Sequence, residues 1–204
     1  MGAINEWTGG KAKTGGRMLN SFLRRLAERT VLGDCSGVLN EKIIAGLKGD
    51  ELILDIGAGS GYYSMQMAKR LTGGRVYCLD GSTDMLAILR RLADRRGLSG
   101  RIVPIHGNAD SSGLGDSSMD IVSSFALFHE LSDPAPVLAE MNRVLRPGGT
   151  MVIGDFSRRY AHRHPGTFGG WEREDMEKQM LATGLTGVSV VNIKRWLFAT
   201  GRKS

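Results

Sequence analysis

The chain has 204 residues, of which 41% are hydrophobic and 24% are charged, the mixture of an ordinary globular protein. No stretch approaches the roughly 18 consecutive apolar residues of a membrane-spanning helix, and the first residues lack the features of a secretory signal, so we expect a cytoplasmic protein. The two cysteines, Cys35 and Cys78, argue against a disulfide framework or a cysteine metal site.

The net charge of +6 is spread unevenly along the chain. Residues 1–48 contain eight Lys and Arg against four Asp and Glu, and residues 157–204 contain nine against four. The middle, residues 49–156, contains ten against thirteen. Positive flanks therefore enclose a slightly acidic centre.

A chain of this length buries a sizeable core without metals or crosslinks, which predicts a single domain made of these three parts.

The N-terminal part contains one amphipathic stretch, from Met18 to Thr30, whose leucines and phenylalanine oppose three arginines. From residue 51 onward, short β-branched runs alternate with segments of helical periodicity. This alternation indicates repeated β-α units and a mostly parallel sheet. The predicted strands of this region are residues 51–56, 75–80, 102–106, 120–126 and 150–156.

Helices are predicted between these strands, the second of them capped by Ser82. They are expected over residues 62–71, 83–96 and 134–145. Residues 157–170 are basic, rich in glycine and without a clear period, which predicts a loop and a candidate active-site lid. The remaining predicted elements are a helix over residues 171–182 and a closing hairpin formed by residues 185–193 and 195–200.

The sequence from Leu52 to Gly61, LILDIGAGSG, predicts a strand that ends in a glycine turn and opens a helix. Glycines permit a tight turn and let a ligand lie against backbone N–H groups at the positive end of the helix. Dinucleotide enzymes also use a glycine turn, but their G-x-G-x-x-G pattern would need glycine at the position of Tyr62. Asp55 would face the pyrophosphate of a dinucleotide, yet it suits S-adenosylmethionine, which has an ammonium group and a sulfonium.

Two further polar elements follow the next strands. Asp80 ends the second strand, where a carboxylate can accept hydrogen bonds from both ribose hydroxyls. Residues 107–110, Gly-Asn-Ala-Asp, follow the third strand, where an amide or carboxylate can meet the exocyclic amine of adenine. Each element alone would be an ordinary surface acid or polar turn. Because open α/β sheets bind ligands at the carboxyl edge of their strands, the order of these elements favours one cofactor site.

Over about residues 45–157 the chain resembles the class I methyltransferases, especially the methyltransferase type 11 branch that is similar to ubiquinone/menaquinone biosynthesis methyltransferases. The resemblance rests on LDIGAGSG, VYCLDGSTDML, GNAD, MDIVSSFALFHEL and EMNRVLRPGGTMVIGDF. It implies a Rossmann-like three-layer α/β/α sandwich with a mostly parallel seven-stranded sheet, in the order 3-2-1-4-5-7-6 with the last strand antiparallel. Residues 49–156 would be the cofactor-binding core, residues 1–48 a helical N-terminal segment or lid, and residues 157–204 a lid loop, helix and closing hairpin.

The same resemblance implies the residues of the S-adenosylmethionine site. Asn108 and Asp110 would meet the adenine, on which Met85 could pack, and the acid that ends the second strand would bind the ribose. Ser124 and Phe125, at the end of the fourth strand, would lie beside the methyl group. The full set expected at the cofactor is Asp55, Gly57, Ala58, Gly59, Ser60, Gly61, Asp80, Gly81, Met85, Asn108, Ala109, Asp110, Ser124 and Phe125.

Methyl transfer needs little from the protein beyond alignment of the acceptor and exclusion of water, because the sulfonium is already an activated leaving group. If the acceptor must lose a proton, His129, just past the fourth strand, is the best-placed base, although it could equally pack or cap locally. Tyr62 and Tyr63 are expected to pack or line the pocket, since an unperturbed tyrosine has a pKa of about 10.

His162 and His164, with Asp155 nearby in sequence, could be metal ligands, but histidines in a basic loop are more often solvated, and we predict no metal site. The positive flanks are expected to form a rim around the active site, and this rim could steer an anionic small molecule, contact anionic lipid, contact nucleic acid or serve solubility. The Met18–Thr30 stretch suits an interfacial lid in peripheral contact with a membrane, or a helix packed on the core. Aromatic residues make up only 6% of the chain, which disfavours a nucleic-acid substrate.

These observations favour a methyltransferase that moves a methyl group to a small-molecule acceptor, quinone-like or otherwise apolar or anionic. Three alternatives stay open from the sequence. The chain could be a non-catalytic S-adenosylmethionine-binding regulator, because fold alone does not prove activity. It could also be an RNA or protein methyltransferase, or a dehydrogenase that binds a dinucleotide at the same kind of turn.

Overall fold

The computed structural model describes residues 33–161 and 170–204, and all elements below lie within them. The strands are β1 (Leu52–Ile56), β2 (Arg75–Asp80), β3 (Ile102–His106), β4 (Met119–Phe125), β5 (Leu145–Phe156), β6 (Leu185–Ile193) and β7 (Trp196–Lys203). The α-helices are α1 (Gly33–Lys42), α2 (Tyr62–Ala68), α3 (Thr83–Arg95), α4 (Ala135–Val144), α5 (Arg158–Ala161) and α6 (Arg173–Ala182). Two short 3₁₀ turns span Ile44–Gly46 and Phe128–Glu130.

The strands form one seven-stranded sheet in the order β3-β2-β1-β4-β5-β7-β6. Strands β1 to β5 pair in parallel, β7 is antiparallel to β5, and β6 is antiparallel to β7. The carboxyl ends of β1 to β5 therefore meet at one edge of the sheet. The strand order and the antiparallel last strand confirm the predicted Rossmann-like fold.

Helices cover both faces of this sheet. Ile56 of β1 points to the face of α4 and α6, where it joins one buried cluster with Met141 and Met176. Asp55, its neighbour in the strand, points to the opposite face, where its carboxylate meets Ser64 of α2. Strand β1 is thus buried on both faces, as the central strand of a parallel sheet should be.

Helix α3 shows how local sequence sets an element boundary. The Ser82 hydroxyl accepts a hydrogen bond from the Met85 amide at 3.3 Å, which confirms the predicted N-cap. Leu86 and Leu89, on the side of the helix that faces the sheet, are buried. Arg95 closes the last turn, where a cation interacts favourably with the helix dipole.

Strand β5 begins at Leu145, earlier than the Thr150 expected from sequence. The register shifts after the pair of Met119 with Leu145, so residues 146–149 bulge out of the ladder. Gly149 fits this bulge because a Cβ there would come within 2.6 Å of the Leu145 side chain. The Pro-Gly-Gly sequence therefore forms a bulge within the strand instead of a separate turn.

The prediction of a loop throughout residues 157–170 is wrong at the start of that segment. Helix α5 follows β5 directly, and Ser157 pairs with Trp171 in an isolated bridge. The Trp171 amide also donates to the Phe156 carbonyl at 3.1 Å. Backbone groups on either side of the segment thus bond to each other, a pairing that local composition cannot reveal.

Two predicted features lie outside the described residues, namely the amphipathic stretch Met18–Thr30 and residues 162–169. Their roles as lids stay predictions, as does the division of the chain into one domain of three parts. Within residues 33–161 and 170–204, no helix is both long and apolar enough to cross a membrane.

Candidate active site

The glycine turn between β1 and α2 has the backbone conformation that glycine favours. Gly57 and Gly61 have φ angles of 72° and 82°, in the left-handed region. A Cβ at Gly61 would come within 2.9 Å of Leu89, and one at Gly57 within 3.1 Å of Leu127, whereas one at Gly59 would meet no atom within 4 Å. The turn is therefore packed on two sides and open at Gly59, where a ligand can approach the backbone.

Asp80, at the end of β2, binds this open part of the turn. Its Oδ2 accepts a hydrogen bond from the Gly59 amide at 2.7 Å, and its Oδ1 accepts one from the Ser82 amide at 2.8 Å. A carboxylate has about four acceptor positions, so each oxygen keeps capacity for a further donor. Asp80 can therefore hold the turn and still accept hydrogen bonds from ligand hydroxyls.

Asp55 lies beneath the turn and is 3% exposed. Its Oδ2 accepts a hydrogen bond from the Ser64 hydroxyl at 2.5 Å, and its Oδ1 accepts one from the Ser123 hydroxyl at 2.8 Å. Burial raises the pKa of Asp55 to about 6, although both hydroxyls oppose that shift, and the charge of Asp80 adds to it. From sequence, this carboxylate is expected to face the ligand; the structure places it under the turn, where it acts on a ligand through its charge.

The residues expected around adenine lie at the same edge of the sheet. Asn108 and Asp110 are exposed in the turn after β3, and Met85 is half-buried in the first turn of α3. Asp80 pairs with His106 in the register of β2 and β3, which brings these turns side by side. The other predicted contacts of these turns are Ala58, Ser60, Gly81 and Ala109.

Ser124 and Phe125 end β4 at this edge, but their side chains are buried in the protein. The Ser124 hydroxyl donates to the Ile56 carbonyl at 2.9 Å. The Phe125 ring stacks on Tyr63, with 4.1 Å between the ring centroids. Any contact of this strand end with a ligand would therefore involve its backbone, and Tyr63 packs in the core as expected.

His129 lies in the 3₁₀ turn after β4 and is 7% exposed. Its Nδ1 lies 2.8 Å from Oδ1 of Asp155, and its backbone N–H donates to Oδ2 of the same residue at 3.2 Å. Asp155, in β5, is fully buried and also accepts the Phe156 amide at 2.6 Å. A carboxylate facing Nδ1 places the ring proton there, so Nε2 carries the lone pair of the neutral imidazole.

The surroundings of His129 shift its pKa and that of the neighbouring Glu130. Burial opposes protonation of His129, but the hydrogen bond and charge of Asp155, with the charge of Glu130, outweigh it and raise the pKa of the imidazole. Burial raises the pKa of Glu130; His129 opposes that shift, and the charges of Asp155 and Asp80 add to it. Since the charge of Asp80 reaches both Glu130 and Asp55, these four carboxylates form one negative region, which favours a cationic ligand.

Aromatic rings line the next part of the edge. The ring of Phe156 contacts His129, Tyr160 and Trp196, with centroid distances of 4.9, 5.3 and 4.4 Å. The guanidinium of Arg195 lies over the ring of Tyr160, 5.1 Å from its centroid. None of these contacts is expected from sequence, where the one available signal is that Phe156 ends a strand at the binding edge.

Sequence reasoning missed Asp155 as the partner of His129. It lies 26 residues after His129, and the parallel pairing of β4 with β5 brings the two together. In the part of the chain that the structure describes, no group of three or more His, Cys, Asp and Glu side chains could hold a metal ion. His162 and His164 lie outside that part.

Residues 54–153 match a family model described as "Methyltransferase domain". The chain is 34% identical over 109 residues to the demethylmenaquinone methyltransferase of Thermus thermophilus, covering 53% of this chain and 49% of that protein. It is 31% identical over 142 residues to the ubiquinone/menaquinone biosynthesis C-methyltransferase UbiE of Idiomarina loihiensis, covering 69% and 53%. The chain thus spans about half the length of the curated relatives it matches.

The fold is similar to that of a SAM dependent methyltransferase from Aquifex aeolicus, with a TM-score of 0.73 and 25% identity over 89% of this chain and 96% of that one. The site fits S-adenosylmethionine, because an open glycine turn lies beside an acid and above a buried carboxylate. The pyrophosphate of a dinucleotide would instead meet the negative charges of Asp80 and Asp55. Residues 54–153 are therefore a methyltransferase domain with the fold of the class I S-adenosylmethionine-dependent enzymes, and they are similar in sequence to the ubiquinone/menaquinone biosynthesis enzymes.

Proposed function

We propose that this chain methylates a small, apolar aromatic acceptor of the quinone type, with His129 as the general base. The observation that carries the proposal is the His129–Asp155 pair, which lies at the same edge of the sheet as the glycine turn and Asp80. The relatives named for menaquinone and ubiquinone biosynthesis support a quinone-like ring as the acceptor.

The proposed cofactor site uses the edge from β1 to β4. Bound S-adenosylmethionine supplies a methyl group on a sulfonium, an electrophile that needs no further activation. Asp55 favours the cationic cofactor by its charge, and Asp80 accepts the ribose hydroxyls. The remaining contacts would be Gly57, Ala58, Gly59, Ser60 and Gly61 at the methionine part, Gly81 at the ribose, Met85, Asn108, Ala109 and Asp110 at the adenine, and the backbone of Ser124 and Phe125 beside the methyl group.

The proposed base works through the geometry of its partner. A phenolic hydroxyl of the acceptor would lose its proton to Nε2 of His129, which makes the ring electron-rich enough for a ring carbon to take the methyl group as S-adenosylhomocysteine leaves; the hydrogen on that ring carbon would then be lost as a proton. The Asp155 carboxylate holds the ring orientation and stabilises the imidazolium that forms. Because the pKa of His129 is raised, a larger fraction of the ring is protonated at neutral pH, so the proposal requires that turnover rise with pH through that pKa.

The acceptor would lie beside Phe156 and Tyr160. Their rings offer an apolar, stacking surface next to His129, which suits an aromatic ring better than a polar metabolite. We propose that the enzyme is cytoplasmic and meets its apolar acceptor at a membrane surface through the basic stretch Met18–Thr30. Nucleic acid is a less favoured substrate, because few aromatic residues accompany the basic ones in the sequence.

Two other functions make different experimental predictions. A non-catalytic regulator would bind S-adenosylmethionine but release no S-adenosylhomocysteine with any substrate pool. An RNA or protein methyltransferase would label macromolecules. The His129–Asp155 pair favours the enzyme, since a binder needs no oriented base at this position.

The proposal is tested by incubating the protein with methyl-labelled S-adenosylmethionine and a host-cell extract, acidifying the mixture so that aromatic carboxylic acids are neutral, and then separating organic, small-aqueous and macromolecular fractions. Label in the organic fraction, lost with His129→Gln, is the expected result. Label only in the macromolecular or aqueous fraction would refute a quinone-like acceptor. Cofactor binding without any labelled product in any fraction would favour the regulator.

A further inference from the structure

Arg195 lies in the turn between β6 and β7, at the carboxyl edge of the sheet. Lys194, before it, has a φ of 53°, and the Arg195 carbonyl accepts a hydrogen bond from the Ser157 amide at 2.9 Å. The next residue, Trp196, pairs with Phe156 in the register of β5 and β7. The backbone of Arg195 is therefore fixed beside the end of β5.

The side chain of Arg195 is exposed and contacts Tyr160 in two ways. Its guanidinium lies 5.1 Å from the centroid of the Tyr160 ring, and its Nη1 donates to the Tyr160 hydroxyl at 3.2 Å. An aromatic face orients a guanidinium without using its in-plane donors. Four of the five N–H donors of this side chain thus remain for another acceptor.

Arg195 differs from Arg158, another cation at this edge. Arg158 donates to Asp175 at 2.7 Å and lies 3.8 Å from Glu172, so acids balance its charge. Arg195 forms no ion pair with any acid in residues 33–161 or 170–204. Its guanidinium is therefore a positioned cation with no carboxylate partner in the described structure.

A continuous row of rings leads from this cation to the proposed base. The Phe156 ring contacts the His129 ring, at 4.9 Å between centroids, and the Tyr160 ring, at 5.3 Å. An acceptor whose aromatic body lies along this row can place one end at His129 and the other end at Arg195. Planar guanidinium groups bind carboxylates and phosphates through two parallel hydrogen bonds.

We propose that Arg195, oriented by Tyr160, binds an oxyanion group, a carboxylate or phosphate, on the aromatic methyl acceptor. The site then selects an acceptor with an apolar ring and one anionic substituent over a neutral ring of the same size. The inference rests on the proposed function for the position of the acceptor at this edge, and it concerns recognition, not chemistry.

The test compares two ligands of nearly the same size and shape, the anion 2-naphthoate and the uncharged 2-naphthamide. Their affinities for the full chain, with and without S-adenosylhomocysteine, are measured by isothermal titration calorimetry. Arg195→Met removes the charge at similar length, and Arg195→Lys keeps the charge but loses the planar donors. Arg159→Met is the matched control, because Arg159 is an exposed arginine in the segment that follows β5.

The expected result is that the wild-type protein prefers 2-naphthoate by about tenfold or more, as a charge-assisted hydrogen bond would give. Arg195→Met should abolish the preference, Arg195→Lys should retain part of it, and Arg159→Met should keep it within about twofold. A wild-type protein with no preference, or equal effects of the two methionine variants, would overturn the proposal. No turnover is measured, so a failed methyl-transfer assay would leave this result intact.

A lipid phosphate could present the same oxyanion chemistry from a membrane surface. The second arm therefore measures co-sedimentation of the same variants with vesicles of phosphatidylglycerol and of phosphatidylcholine. The proposal expects Arg195→Met and Arg159→Met to reduce binding to phosphatidylglycerol equally. If only Arg195→Met releases the protein from these vesicles while the preference for 2-naphthoate persists, the site serves lipid and the proposal is wrong.

Discussion

The carboxylate of Asp80 accepts the backbone N–H of Gly59 at 2.7 Å, so the acid that ends β2 orders the glycine turn that ends β1. The two residues are 21 positions apart in sequence, and the parallel pairing of β1 with β2, whose last pair is Ile56 with Leu79, brings them together. Asp80 therefore has two proposed roles, since it positions the turn for the methionine part of the cofactor and accepts the ribose hydroxyls. Both roles depend on the same two oxygen atoms.

Replacing Asp80 by alanine should weaken S-adenosylmethionine binding by about tenfold to a hundredfold, because several charge-assisted hydrogen bonds are lost together. Asp80→Asn should fall between, since its amide keeps one acceptor oxygen and gains a donor that conflicts with the Gly59 and Ser82 amides. Calorimetric titration measures both. Asp84→Ala, a nearby exposed acid in the first turn of α3, is the control. Unchanged affinity of Asp80→Ala would exclude the ribose assignment.

His129→Gln should leave the affinity for S-adenosylmethionine within about twofold and lower the turnover number by about a hundredfold, the usual contribution of a general base. The reason is that His129 contacts Asp155 and Phe156, and neither of these residues belongs to the proposed cofactor site. Steady-state release of S-adenosylhomocysteine with the organic-phase acceptor measures the effect. If turnover is unchanged while thermal stability drops, His129 is a packing residue.

Asp155→Asn should change the pH dependence of the reaction as well as its rate. The Asp155 carboxylate raises the pKa of His129 against the effect of burial, so its removal lowers that pKa and neutralises the ring at lower pH. The rising limb of kcat/KM should therefore move to lower pH, while the plateau falls because the imidazolium loses its counter-charge. A pH profile from 5 to 9 tests this. A limb that stays at the wild-type position would assign the titration to another group.

The same pair predicts how stability depends on pH. A histidine whose pKa is higher in the folded than in the unfolded state contributes stability that is fully present below the unfolded pKa and is lost as pH rises through the folded pKa. Thermal unfolding of wild-type protein should thus show a stabilising contribution toward acidic pH that His129→Gln lacks. Equal pH dependence of the two proteins would contradict the raised pKa.

Much of the fold could be predicted because its signals are local. The bounds of β2 and β3 follow from apolar runs between polar turns, and the Ser82 cap marks the start of α3. The start of β5 could not be predicted, since Pro147, Gly148 and Gly149 also describe an ordinary turn. Only the pairing of Leu145 with Met119 turns them into a bulge.

The candidate site likewise contains some residues that the sequence predicts and others that it does not. The glycine turn and Asp80 are visible in sequence because each follows a predicted strand, and parallel strands end at one edge. The link between His129 and Asp155 depends on how β4 and β5 pair, and the position of Arg195 on Tyr160 depends on the closing hairpin. Such contacts are tertiary, so neither periodicity nor spacing predicts them.

Removal of the charge of Asp55 should change the stability of the fold and the affinity for S-adenosylmethionine in opposite directions. Burial raises its pKa from an ordinary 3.8 to about 6, so between these values the folded protein binds more protons than the unfolded chain. The associated stability is present below the unfolded pKa and is lost as pH rises through about 6. At pH 7 the buried charge therefore opposes folding, and the proposed role of this charge is to favour the cationic ligand.

Asp55→Asn should raise the free energy of unfolding at pH 7 by roughly 1 to 3 kcal/mol, since the Ser64 and Ser123 hydroxyls can rotate to accept as well as donate. It should flatten the decline in stability between pH 4 and 6 and weaken S-adenosylmethionine binding through the loss of charge. Thermal unfolding across this range and calorimetry at pH 7 measure the two effects. Ser123→Ala is the control, because it removes a donor to the carboxylate and should lower stability at pH 7. If Asp55→Asn destabilises the fold at pH 7 and leaves cofactor affinity unchanged, Asp55 is a structural hydrogen-bond acceptor and its charge has no part in binding.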